Sequence, residues 1–104
     1  MQSKYIYNVS IKIQFDIEEQ WLAWMKNEHI PEVIATTLFD SYTFFELLEP
    51  IDEEGKTFVV QYFTDSALRY EKYIAEYAAL LRAKGFEKFS NKFIAFRSIM
   101  KEVE

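Results

Sequence analysis

The stretch from Tyr5 to Val33 reads YIYNVSIKIQFDIEEQWLAWMKNEHIPEV. Its periodicity changes once. From Tyr5 to Phe15 the chain alternates: Tyr5, Tyr7, Val9, Ile11, Ile13 and Phe15 face one way, and Ile6, Asn8, Ser10, Lys12 and Gln14 the other. Side chains on a strand alternate between faces, so this is a strand with one buried face. From Asp16 the period becomes helical. Asp16 reads as an N-cap with Glu19 three residues on. Ile17, Trp21, Trp24 and Met25 then form one apolar stripe. Pro31 disfavours the α conformation at Ile30, so the helix is expected to end near Glu28 or His29, with a second short helical piece over 31–36.

Working outward, residues 38–48 read as a strand, EPIDEEGK as a hairpin loop and residues 57–64 as the return strand. Asp65 and Ser66 are capping residues for a helix over about 66–84, with Gly85 at its C-terminal cap. Phe93 to Val103 closes the chain as a strand. The order β-α-β-β-α-β, with right-handed crossovers, is the ferredoxin-like arrangement. It predicts a four-stranded antiparallel sheet with the first and third strands central and both helices on one face. Nothing divides the chain, so one domain is expected over residues 1–104.

Composition bounds the function. The chain of 104 residues is 50% hydrophobic and 18% aromatic, has no cysteine and carries a net charge of −5. A disulfide framework and a thiolate nucleophile are excluded. Lysines and arginines are scattered among acids, so no phosphate-tracking surface and no nucleic-acid partner is expected. No apolar run reaches the ~20 residues that span a bilayer, and the N-terminus lacks a signal-peptide pattern. A cytoplasmic location and no membrane association are therefore expected.

The helix-free face of the sheet should be polar. Assigning Ile94, Phe96 and Met100 to the helix side leaves Val59, Gln61, Phe63, Phe93, Ala95, Arg97 and Ile99 on the open face. The apolar set Val59, Phe63, Phe93 and Ile99 is too large to leave in water. A second copy covering it gives a homodimer with a closed, barrel-like interior.

These features resemble the dimeric α/β barrel superfamily. Within it, YNVSIKI, WLAWMKNEHIPEV, VQYFT and KFIAFR resemble a family of small uncharacterised bacterial proteins described as a domain of unknown function. The resemblance covers about residues 5 to 100. The wider superfamily includes monooxygenases, dehydratases, haem-handling enzymes and stress proteins, and fold alone does not choose among them. Some of its enzymes carry a His-x-Pro after the first helix, which HIP at 29–31 matches.

His29 is the chain's single histidine. It reads either as a helix-end histidine bonded to a carbonyl or to Glu28, or as a general acid or base in a cleft between helix and sheet. The stripe Ile17–Trp21–Trp24 continues onto Glu28, so this carboxylate is either turned outward before Pro31 or buried and paired. Glu28, His29 and Glu32 do not form a metal site, because adjacent helical positions point apart. Asn8, Ser10, Gln61 and Arg97 form a second constellation on the open face. There Arg97 is expected to meet an acid such as Glu46 of a second copy, or an anionic ligand. Tyr70, Tyr73 and Tyr77 read as core with hydroxyls at the rim.

No hydrolase, nucleotide-binding or zinc-protease motif is present, and no cofactor or metal is expected. The expected function is a homodimeric non-enzymatic module or binder of an anionic or aromatic small molecule. The alternative is a small dehydratase- or monooxygenase-like enzyme using His29 as acid or base on an aromatic or carbonyl-bearing metabolite.

Overall fold

The computed structural model describes residues 4–104. Strands β1 (Tyr5–Gln14), β2 (Ser41–Glu46), β3 (Gly55–Thr64) and β4 (Phe93–Lys101) form one antiparallel sheet in the order β2-β3-β1-β4. The alternation from Tyr5 onward is a central strand: Tyr7, Val9, Ile11 and Ile13 are buried. Opposite them on β3 lie Tyr62, Val60 and Phe58. The two helical segments pack on this face, giving the ferredoxin-like fold that the element order predicts.

Pro31 does not end the first helix. Helix α1 (Glu18–Trp24) runs through a π turn, Met25–His29, into α2 (Ile30–Ala35). Within this turn Ile30 donates its N–H to the carbonyl of Met25, five residues back. A proline inside a regular helix lacks an N–H and its ring clashes with the carbonyl four residues before it. The wider turn sits just ahead of Pro31, and the chain stays helical. It also re-phases the stripe. The buried positions are Trp21, Met25, Ile30 and Val33, so one step is five residues long. Glu28 is thereby turned out to solvent.

The second helix repeats this device. Helix α3 (Ala67–Tyr73) passes through a π turn, Ile74–Ala78, into α4 (Ala79–Phe89). Its buried positions step by five from Tyr73 to Ala78, then continue to Leu81 and Phe89. Ser66 caps the start, its hydroxyl accepting from the N–H of Arg69. Asp16, by contrast, is no cap. It lies in a short 3-10 turn, Phe15–Ile17, and pairs with Lys92 at 2.6 Å. Gly85 is no cap either. The helix continues to Phe89 and closes at Ser90, whose φ is +53°. Gly85 is instead a point of close approach, since a Cβ there would stand 3.1 Å from Cη2 of Trp24.

The register of β4 reverses the face assigned to it. Phe93, Ala95, Arg97 and Ile99 stand opposite Ile13, Ile11, Val9 and Tyr7, so they share the helix-facing side. Ile94, Phe96 and Met100 lie on the open face. Both faces of this edge strand are apolar, so apolarity does not tell them apart, and pairing with β1 does. The open-face cluster is therefore Val59 and Phe63 joined by Phe45, Ile94, Phe96 and Met100. Phe93 and Ile99 do not belong to it.

Candidate functional site

Between the helices and the sheet lies a cavity of about 50 Å³. Its walls follow from the elements just described. Val9, Ile11, Val60 and Ala95 rise from the three strands β1, β3 and β4. Trp21, Trp24, Met25 and His29 come from the first helix, and Tyr73, Leu81, Arg82 and Gly85 from the second. The first π turn thus borders this space through Met25 and His29. Such turns widen the helix locally, and they are frequent beside binding sites.

His29 lines this cavity. Its ring stacks on Trp24, with centroids 4.8 Å apart and planes inclined by 24°. Its Nδ1 is buried and has no hydrogen-bond partner. The imidazole is therefore bonded through Nδ1 neither to main chain nor to Glu28, which is exposed and lies 4.0 Å from Lys88. Glu32 faces outward to Lys84 at 2.9 Å. Burial pulls the imidazole pKa down to about 4, and the nearby charges of Arg97 and Lys84 act in the same direction against Glu32. At neutral pH the ring is uncharged.

Arg97 belongs to this cavity and not to the open face. It projects from β4, on the sheet edge, beside the hydroxyl of Tyr7 and the guanidinium of Arg82. Arg82 donates to that hydroxyl at 2.9 Å. Burial, then the charge of Arg82, lowers the Arg97 pKa from its usual value. The structure therefore brings His29 and Arg97 together from opposite ends of the chain. It adds Arg82 and Tyr7, which sequence reasoning did not single out. Nothing in the sequence marks Arg82 beyond an arginine following a buried leucine, and only tertiary packing sets it over Tyr7.

Deeper in, Tyr7 stacks near Phe39 and Tyr62, with centroids at 6.0 and 6.1 Å. The Tyr62 hydroxyl is buried without a partner, and burial raises its pKa strongly. Tyr73 is buried beside Tyr7 and shifts upward for the same reason. Both phenols stay neutral and serve as apolar wall.

The other sequence-selected polar residues go elsewhere. Asn8, Ser10 and Gln61 lie on the open face and bond to each other. Gln61 donates to Asn8 at 3.2 Å, Asn8 to Ser10 at 3.4 Å, and Thr43 to Gln61 at 3.4 Å. With Ser98 opposite Asn8, they draw a polar row across all four strands. On either side stand apolar residues, of which Phe45, Phe96 and Ile94 are 55%, 64% and 53% exposed. Among the described residues no cluster of histidine and acidic side chains could hold a metal ion. No helix there is long and apolar enough to cross a membrane.

Comparison with known proteins agrees with this architecture. The family described as Domain of unknown function (DUF4286) matches residues 4–103. No curated protein matches the sequence. Among solved structures, a dimeric ferredoxin-like protein from an uncultured marine organism superposes with a TM-score of 0.70 at 14% identity, covering 99% of this chain and 98% of that one. An ethd family protein of Bacillus halodurans gives 0.71 at 13% identity, covering 95% and 99%. SnoaB, a cofactor-independent oxygenase of Streptomyces nogalater, gives 0.68 at 7% identity, covering 98% and 96%. At these identities the likeness is one of fold.

Proposed function

The chain belongs to the DUF4286 family, which carries no assigned activity, and from that premise we propose that it is a self-associating small-molecule-binding domain whose ligand enters the cavity beside His29. The observation that carries this is the buried Nδ1 of His29, on the cavity wall and without a partner. A buried polar atom left unpaired costs about 1–3 kcal/mol. A ligand group bonding to it removes that cost. The π turn Met25–His29, which borders the same cavity, supports the reading.

Binding is favoured over catalysis by the state of the imidazole. A pKa of about 4 makes it a poor base at neutral pH. No carboxylate or carbonyl holds its Nδ1 and sets its tautomer. The second reading, acid–base catalysis by His29, draws on the same cavity and on the oxygenase among the structural neighbours.

Self-association rests on the open face. Its apolar rows need cover, the related marine protein is described as dimeric, and a second copy of this sheet supplies a surface with the same alternation of rows. The polar row of Thr43, Gln61, Asn8 and Ser98 then lies inside the interface, apart from the ligand cavity.

The test is a fragment screen by two-dimensional NMR. Hits are expected to shift the resonances of Gly85, Ala95 and His29 and to raise Tm. They are expected to vanish in Ala95→Phe, which fills the cavity. Hits indifferent to that change would overturn the assignment. An imidazole pKa between 6 and 7 in the folded protein would move the conclusion to the catalytic reading.

A further inference from the structure

Arginines 82 and 97 both stand beside the Tyr7 hydroxyl, and among the described residues neither has an acid. In a chain with 17 acidic residues and 12 basic ones, that is a choice of placement. Arg69, the third arginine, is held by Asp40 at 2.9 Å and Asp65 at 3.3 Å. Lys12, Lys56, Lys84 and Lys92 likewise have carboxylates within 3.0 Å. Among the described residues Arg82 and Arg97 form no ion pair. The groups around Arg97 are Arg82, Tyr7, Tyr73 and the uncharged His29. Two guanidiniums side by side repel each other, and a single anion between them relieves the repulsion while accepting from both.

Behind this pair the cavity walls are mostly apolar, with the unpartnered Nδ1 of His29 and hydroxyl of Tyr62 as polar exceptions. Val9, Ile11, Ala95 and Phe93 line it with the indoles of Trp21 and Trp24. A water needs about 10–15 Å³ of such space, so 50 Å³ takes a chain of about three or four heavy atoms.

Resting on the reading that this cavity binds a small molecule, we propose that its ligand is a short-chain organic carboxylate, with the carboxylate held by Arg82, Arg97 and the Tyr7 hydroxyl at the mouth and the tail lodged inside, where a polar atom on it would meet the Nδ1 of His29. A carboxylate suits the site better than phosphate. Its two oxygens match the planar fork of arginine, and one face of it continues into hydrocarbon, which the apolar walls require.

The experiment is a binding series followed by NMR on the intact protein. Acetate, propionate, butyrate and hexanoate are titrated at fixed ionic strength, with butyramide and inorganic phosphate as controls. Affinity is expected to rise from acetate to butyrate and to fall at hexanoate. Butyramide and phosphate are expected to bind at least about tenfold more weakly than butyrate, the scale of losing a charge-assisted hydrogen bond. Arg82→Met and Arg97→Met, both at exposed positions, are each expected to lower butyrate affinity by about tenfold with Tm unchanged. Butyramide binding as tightly as butyrate, with both abolished by Ala95→Phe, would overturn the carboxylate assignment and leave the cavity reading standing. Phosphate binding as tightly as butyrate, indifferent to Ala95→Phe, would reduce the site to an inorganic anion contact. Failure of every compound to bind up to its solubility would overturn the carboxylate assignment, and the fragment screen then decides the cavity reading by itself.

Discussion

The imidazole of His29 lies nearly parallel to the indole of Trp24, 4.8 Å from it. Five residues apart, the two could not stack across a regular helical turn, where i and i+5 point about 140° apart. The π turn between them makes the contact. It also buries the imidazole, and from that burial the first prediction follows.

Stability should fall as the medium is acidified through the histidine range. The folded-state pKa of His29 is about 4, below the ordinary value of 6.5. Below pH 6.5 the unfolded chain therefore takes up a proton that the folded one refuses. The loss grows as pH falls towards 4, and between pH 7.5 and 5 it amounts to about 2 kcal/mol. Urea melts at the two pH values measure it. His29→Gln should remove about that part of the pH dependence, leaving the contribution of the carboxylates.

Gly85→Ala should fail to stabilise the protein. Alanine inside a helix ordinarily gains up to about 1 kcal/mol over glycine. Here its Cβ meets Trp24 at 3.1 Å. The indole is pinned by His29 on its face and by Phe89 edge-on, with centroids 5.6 Å apart, so it cannot retreat freely. Thermal unfolding should show a Tm no higher than the parent, with altered tryptophan fluorescence. A clear rise in Tm would mean that the ring moves without penalty.

Trp21→Ala should cost about 3–5 kcal/mol, the range for removing a large ring from a packed core. Trp21 is 2% exposed and packs on Phe58 and Phe44, with centroids at 5.2 and 6.0 Å. Trp24 is only partly buried, so Trp24→Ala should cost less in a urea melt. It should also remove the upper wall of the cavity.

Phe96→Glu should dissociate the protein without unfolding it. Phe96 is 64% exposed in the single chain, so the glutamate meets no packing there, yet in a face-to-face assembly it becomes a buried, unpaired charge. Light scattering after size exclusion should give twice the chain mass for the parent and one chain mass for the variant, with the same circular dichroism. A parent that runs as one chain would sink the assembly.

Much of this architecture is legible in the residues themselves. Strand β1 declares itself because one of its faces is buried and the other is not. Ser66 declares the start of the second helix because a hydroxyl there takes up a free N–H. What sequence does not show is the face of β4. Phe93, Ala95 and Ile99 are as apolar as Ile94, Phe96 and Met100, so only the pairing of Phe93 with Ile13 separates them. The π turns are hidden as well, because a five-residue step looks like a stripe that has slipped. That slip is the origin of the apparent burial of Glu28. His29 and Arg97 stand out as residues, but their meeting does not, since it depends on the face of β4.

The π turn at Met25–His29 has a bearing on how this domain can change over generations. It holds one residue more than a regular helix of the same rise would need. Losing any one residue between Lys26 and Glu28 would close the wide turn to a regular one, and the buried steps from Trp21 would become four, four and three, an ordinary helical stripe. Ile30 and Val33 would stay in the core with Trp21 and Met25. The cost of such a deletion falls on Pro31, whose ring would then meet the carbonyl four residues before it in a regular turn. Length and proline should therefore vary together among descendants: a segment one residue shorter between Trp21 and Val33 is expected to lack the proline.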